Sequence, residues 1–263
     1  MSSATRAVLL ASLVVAAGVN AADVDDLVIA RRGNLPIVLT APHGGRQAIA
    51  GVPTRAAPGV VITVDGRTLE VAEAVAARLK AMLGEEPYLV AARFHRRHLD
   101  ANRKEADAYE DARAAPHYTA YHSRVREFVT EVRQRFPGGA ILLDIHGQAT
   151  DPHTLHRGTQ NGATVARLIA KHGPEALIGE RSILGVLQSR GHQVFPPNTP
   201  PGAPREERRY AGGHTVQIYG SMARNGTDAI QLELGTNQRT APRFAEDLAE
   251  AIAVFYKAYL KGH

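Results

Sequence analysis

"ILLDIHG" occupies residues 141–147. Three apolar residues lead into Asp144, Ile145, His146 and Gly147. A short, nearly continuous apolar run reads as a strand covered on both faces of a sheet. A carboxylate, an imidazole and a glycine at its end need a reason. "IVLTAPHGG", residues 37–45, has the same form and also ends in a histidine followed by glycine. In an open α/β sheet, ligands bind outside the carboxyl ends of the strands. His43 and His146 therefore read as two halves of one site, with Gly44, Gly45 and Gly147 allowing close approach.

Strand-like and helix-like segments alternate outward from these two stretches, which predicts an α/β fold. Further strands are expected at 88–94, 214–220 ("HTVQIYG") and 229–234 ("AIQLEL"). Helices are expected at 68–83, 117–136, 162–173 and 241–262. The first has Leu69, Ala72, Val75, Ala76, Leu79 and Leu83 at helical spacing, Thr68 as its N-cap and Gly84 as its stop. "FPPNTPPGAPREERRYAGG", 195–213, is rich in proline, glycine and charge and reads as a lid or binding loop.

Of 263 residues, the first 22 read as a secretory signal: Arg6, then the apolar run "AVLLASLVVAAGV", then small residues. That run is short for a membrane span. Residues 23–263 are then a single domain, secreted or periplasmic, with no membrane partner after cleavage. The chain has no cysteine, so disulfides are excluded and any metal must sit on His, Asp or Glu. The net charge of +5 is dispersed, densest at "RFHRRH" (93–98), where it reads as a solvated surface or as a field for an anionic substrate. Aromatic residues make up only 5% of the chain, too few to stack on bases, which argues against a nucleic-acid partner.

A catalytic zinc takes three protein ligands and keeps a position open. His43 and His146 supply two. Glu70 and Asp65, in "VDGRTLEVA", are the candidates for the third, and Glu70 is preferred. Asp144, two residues before His146, serves to orient the imidazole or as an alternative ligand. Glu233 interrupts an apolar strand near its end, a costly place for a carboxylate unless it faces a cleft, and reads as a general base. In "LDANR" (99–103), Arg103 suits a bidentate grip on a substrate carboxylate, Asn102 adds an amide contact, and Asp100 holds the loop or the arginine.

Taken in order, "PHGG", "LDANR", "YH" (121–122), "DIHG" and "QLELG", with "GTQNGATV" (158–165), resemble the N-formylglutamate amidohydrolase family. The order also resembles that of the zinc carboxypeptidases. The resemblance spans about Pro36 to Gly235. It implies a phosphorylase/hydrolase-like three-layer α/β/α sandwich with a mixed, mostly parallel sheet. It implies zinc on His43 and His146, Glu233 as general base, and Arg103 with Asn102 as carboxylate anchor. Arg93 and His214 are expected near the reacting carbonyl. Carboxypeptidases carry an acidic ligand three residues after the first histidine, where this chain has Arg46. The expected activity is hydrolysis of an amide in a small molecule or peptide with a free carboxylate. The alternatives are a metallo-carboxypeptidase or γ-glutamyl hydrolase, and a non-catalytic binding protein.

Overall fold

The computed structural model describes residues 26–198 and 205–262. The expected signal, and the middle of the expected lid, lie outside the described residues. A seven-stranded mixed sheet forms the centre. Its strands are β1 (Val28–Arg31), β2 (Ile37–Ala41), β3 (Tyr88–Ala92), β4 (Ile141–Gln148), β5 (Thr154–Gly158), β6 (Gln193–Phe195) and β7 (Asp228–Gly235). They lie in the order β1-β3-β2-β4-β7-β5-β6. The middle four, β3, β2, β4 and β7, run parallel. β1 is antiparallel to β3, β5 is antiparallel to β7, and β6 follows β5 in parallel.

Helices cover both faces. In chain order they are α1 (Thr68–Leu83), α2 (Ala115–Arg135), α3 (Ala166–His172), α4 (Ile183–Ser189), α5 (His214–Tyr219), α6 (Thr236–Thr240) and α7 (Phe244–Phe255). Strand alternation splits the core in two. Ile37, Leu39, Ile141, Leu143, Ile145, Ile230 and Leu232 pack with α1, α4 and α7. Val38, Val90, Leu142 and Ala229 face the other way, onto Tyr121, Val125, Phe128 and Val132 of α2.

α1 matches its expected span, and Gly84 ends it in a left-handed turn whose N–H donates to the Lys80 carbonyl. Its start differs. Thr68 lies inside the helix, and its hydroxyl donates to the Asp65 carbonyl. The expected strand 214–220 is helix α5. Thr215, Val216 and Tyr219 are buried while Gln217 and Ile218 are exposed, which is helical spacing. Six residues between glycines are too few for the pattern alone to separate the two periods. The expected helix at 162–173 opens as a tight turn, Ala163–Val165, before α3.

Among the described residues, no helix is long and apolar enough to cross a membrane.

Candidate metal centre and cleft

On the α2 face, the apolar residues Val38, Leu142 and Ala229 give way toward the strand ends to polar ones. Thr40 pairs in register with Asp144, Asp144 with Gln231, and His146 with Glu233. Strand alternation thus keeps Asp144, His146, Gln231 and Glu233 on one face, while Ile145, Leu232 and Leu234 stay in the opposite core. This is why an apolar strand ends in Asp-Ile-His.

Three side-chain atoms converge there, and all three residues are buried. His43 Nδ1 lies 3.1 Å from His146 Nδ1, and Asp65 Oδ2 lies 3.3 Å from the first and 3.2 Å from the second. A tetrahedral ion with arms of about 2.0–2.1 Å requires donor atoms roughly 3.3 Å apart. The spacing fits. For both Nδ1 atoms to offer lone pairs, each ring must carry its proton on Nε2, and each Nε2 has a carboxylate waiting. His43 Nε2 donates to Asp100 Oδ1 at 2.6 Å, and His146 Nε2 donates to Asp144 Oδ2 at 2.9 Å. Such partners fix the tautomer and raise ligand basicity. Asp144 is in turn held by the Thr40 hydroxyl at 2.6 Å.

The electrostatics agree with a cation-shaped hole. Burial alone would raise the pKa of Asp65, but His43 and His146 hold its carboxyl well below the usual range. Asp100 behaves alike, with burial overcome by His43 and Arg96. Burial alone would lower His146, yet Asp144 and Asp65 raise it well above an ordinary histidine.

Asp65, and not Glu70, joins the two histidines. Glu70 sits on the exposed side of α1, one turn beyond the loop that turns Asp65 inward. The Asp65 carboxylate is anchored by the Gly147 N–H at 3.1 Å and by Arg96 Nη1 at 3.3 Å. Asp144 stands outside that cluster, with its two oxygens engaged by Thr40 and His146. Arg93 is also displaced: it is exposed and reaches the Asp26 carbonyl. Within 93–98 the arginine that lines the cleft is Arg96, whose Nε and Nη2 both grip Asp100 Oδ2, at 2.9 and 2.8 Å. Asp100 is therefore engaged by His43 and Arg96 and does not line the cleft.

A cleft of about 730 Å³ opens over these residues. Arg103, Lys104, Arg208, Arg209 and His214 line it, with Glu233. Asn102 lines it too, but its Nδ2 packs 3.1 Å from His146 Nε2 and its Oδ1 accepts the Thr215 N–H at 2.8 Å. Through Oδ1 it ties the 99–103 turn to α5. Arg103, with its side chain 48% exposed, has reach to spare. Glu233 is only partly buried and accepts the Gln231 amide at 2.9 Å. Burial is the main influence on its pKa, which is raised above the ordinary glutamate value. His214 is pushed the other way by burial and by Lys104 and Arg103, so it stays neutral at neutral pH.

The segment after residue 204 is tied down. Buried Glu206 accepts from Arg157 Nε at 3.2 Å, from the Thr159 N–H at 2.8 Å, from the Asn161 N–H at 2.9 Å and from the Thr159 hydroxyl. "GTQNGATV" is the seat for this carboxylate. It holds Arg208, Arg209 and Tyr210 as a fixed wall of the cleft rather than part of a lid.

Sequence reasoning missed Arg96, Arg208, Arg209 and Arg239. The "RFHRRH" cluster pointed to the region of Arg96, but not to which arginine turns inward. Arg239, on α6, carried no signal.

No model of a known protein family matches the chain, and no curated protein matches it by sequence. Solved structures do. The N-formylglutamate amidohydrolase from Ralstonia eutropha JMP134 is similar at a TM-score of 0.58 and 18% identity, covering 88% of this chain and 96% of that one. The gene product Atu2144 from Agrobacterium tumefaciens is similar at 0.53 and 16%, covering 87% and 92%. The chain shares their fold, so the resemblance carried by the motifs holds at the level of the architecture.

Proposed function

We propose that this fold carries a zinc-dependent amidohydrolase that cleaves an amide bond in a carboxylate-bearing substrate, an N-acyl amino acid or a peptide fragment. One observation carries the reading. The donor atoms of His43, Asp65 and His146 converge at tetrahedral spacing, with each imidazole backed by a carboxylate, at the floor of a cationic cleft. The fold shared with an N-formylglutamate amidohydrolase supports it. Zinc suits two imidazoles and one carboxylate, and when bound it polarises a carbonyl and acidifies a water.

The chain's own residues supply the rest. Glu233 opposes His146 across the β4–β7 register. Its raised pKa suits a base that takes a proton from the attacking water and returns it to the leaving nitrogen. Arg103 grips the substrate carboxylate, which sets the amide over the three converging atoms. His214, neutral, donates a hydrogen bond to the carbonyl oxygen as charge develops there. Asp100 and Asp144 keep the imidazoles in register and take no part in proton transfer. Export through the N-terminal signal belongs to the same proposal. It favours extracellular or periplasmic amides over N-formylglutamate as substrate.

The test is metal content by mass spectrometry, followed by a screen of N-acyl amino acids and of peptides with free and amidated C-termini. Near one zinc per chain and turnover of a free-carboxylate amide are expected. Glu233→Gln should keep the metal and lose about 10²–10⁴ in kcat. A wild-type protein that takes up no metal would overturn the reading.

A further inference from the structure

Arg239 lies on α6, six residues past Glu233, and touches none of the three converging atoms. Its guanidinium makes three short bonds, all to main-chain carbonyls. Nε donates to Gly66 at 2.7 Å, and Nη1 donates to Gln148 at 2.7 Å and to Leu234 at 2.6 Å. Each carbonyl belongs to a different segment. Gly66 follows Asp65, Gln148 lies two residues past His146, and Leu234 follows Glu233. One side chain therefore ties together the loop bearing the carboxylate ligand, the strand bearing a histidine and the strand bearing the base.

The tie matters most for Asp65. Its loop, unlike β4 and β7, has no strand ladder to hold it. Its main chain is tied to β2 by the Asp65 N–H on the His43 carbonyl at 3.0 Å. Toward the far side, at the ends of β4 and β7, the loop is held by the Gly147 N–H on the Asp65 carboxylate and by the Gly66 carbonyl on Arg239. The fit is close. A methyl group added at Gly147 would stand 2.9 Å from Arg239 Cζ, 3.0 Å from Nε and 3.2 Å from Nη1. The absent side chain at Gly147 makes the room that the guanidinium fills.

We propose that Arg239 is a positioning residue that locks the Asp65 loop onto the ends of β4 and β7 and so sets how tightly the His43–Asp65–His146 site holds its cation. The inference rests on the metal reading above. A planar fork reaches carbonyls in separate directions, which the single ammonium of lysine does not reproduce. The geometry of the fork is therefore what ties the three segments, while its charge also acts on Asp65 and Glu233.

The experiment measures zinc affinity by chelator competition and the absorption spectrum of the cobalt(II)-loaded full chain. Wild type is compared with Arg239→Ala, Arg239→Lys, Gly147→Ala and the double variant Arg239→Ala/Gly147→Ala. Thermal unfolding of the metal-free proteins first confirms that each is folded. Arg239→Ala and Arg239→Lys should each weaken binding about tenfold or more and alter the cobalt spectrum. Gly147→Ala, which crowds Arg239 without removing it, should weaken binding as well. In the Arg239→Ala background the same change should add little, because its target is gone. If Arg239→Ala does not fold, Arg239→Lys and Gly147→Ala carry the test. Wild-type affinity and spectrum in the folded Arg239 variants would overturn the proposal. So would a Gly147→Ala effect of equal size with and without Arg239. Failure of the wild type itself to bind zinc or cobalt would instead overturn the metal reading.

Discussion

His43 and Asp100 meet at 2.6 Å between Nε2 and Oδ1, both fully buried, fifty-seven residues apart in the chain. The contact assigns Asp100 to the histidine. Asp100→Asn should therefore weaken zinc binding by about 10–100-fold, because the amide no longer enforces the tautomer that frees Nδ1. Titration of the metal-free protein with a zinc-selective dye reads this directly. An unchanged affinity would return Asp100 to the substrate side of the cleft.

The two acidic candidates of the Asp65–Glu70 segment separate cleanly. Asp65→Asn should leave less than a tenth of the bound metal under a chelator challenge that wild type withstands. Glu70→Gln should be indistinguishable from wild type in the same assay, because that side chain faces solvent.

The two arginines make a matching pair. Arg103→Ala should lower kcat/KM on a free-carboxylate substrate by roughly tenfold to a hundredfold, the worth of a charge-assisted hydrogen bond. Arg93→Ala should change it by no more than about twofold. On a substrate whose carboxylate is amidated, the Arg103 effect should vanish.

His122 offers a pH test that does not involve the three converging atoms. Burial, followed by the nearby His214, pushes it down to about 4. Its Nε2 donates to the Ala101 carbonyl at 3.0 Å while Nδ1 faces the Tyr219 hydroxyl at 2.9 Å. An unfolded histidine takes its proton near 6.5, so between about 6.5 and 4 the unfolded state binds more protons than the native one. Stability should be full above that window and fall by up to roughly 3 kcal/mol as pH drops through it. Denaturant melts at pH 7 and pH 4.5 should show a smaller difference in His122→Gln than in wild type.

Glu206 is buried with Arg157 and two main-chain N–H groups on its carboxylate. Glu206→Ala leaves that charge and those donors unpaired and should cost about 3–5 kcal/mol. Limited proteolysis should then open the chain near 205–213 first, before any cut in the sheet.

The central sheet and the two histidines were legible because each signal is local. Four parallel strands write themselves as apolar runs, and Asp144, His146 and Glu233 stand out as polar interruptions at their ends. The third member of the cluster was not legible in the same way. Asp65 lies in an irregular loop, and its inward turn is fixed by Gly147, Arg96 and Arg239, all distant in sequence. Glu70 was preferred for its place at a helix start near the crevice, a position where an acid is also favoured on dipole grounds alone. The edge strands β1 and β6, and β5 beside β6, have three to five residues each, too short for an alternation to register. Arg93 and Arg96 differ by three residues, and only the geometry of the turn after β3 decides which of them points inward.

The strand order has a consequence for how the chain comes together. β7 is the last strand to leave the ribosome, yet it lies between β4 and β5. Without it the strand order leaves two unconnected pieces, β1-β3-β2-β4 and β5-β6. His43, Asp65 and His146 precede that strand in the chain, whereas Glu233 and Arg239 come with it or after it. Pairing of β7 with both β4 and β5 therefore joins the two pieces of the sheet and sets Glu233 beside His146 in the same step.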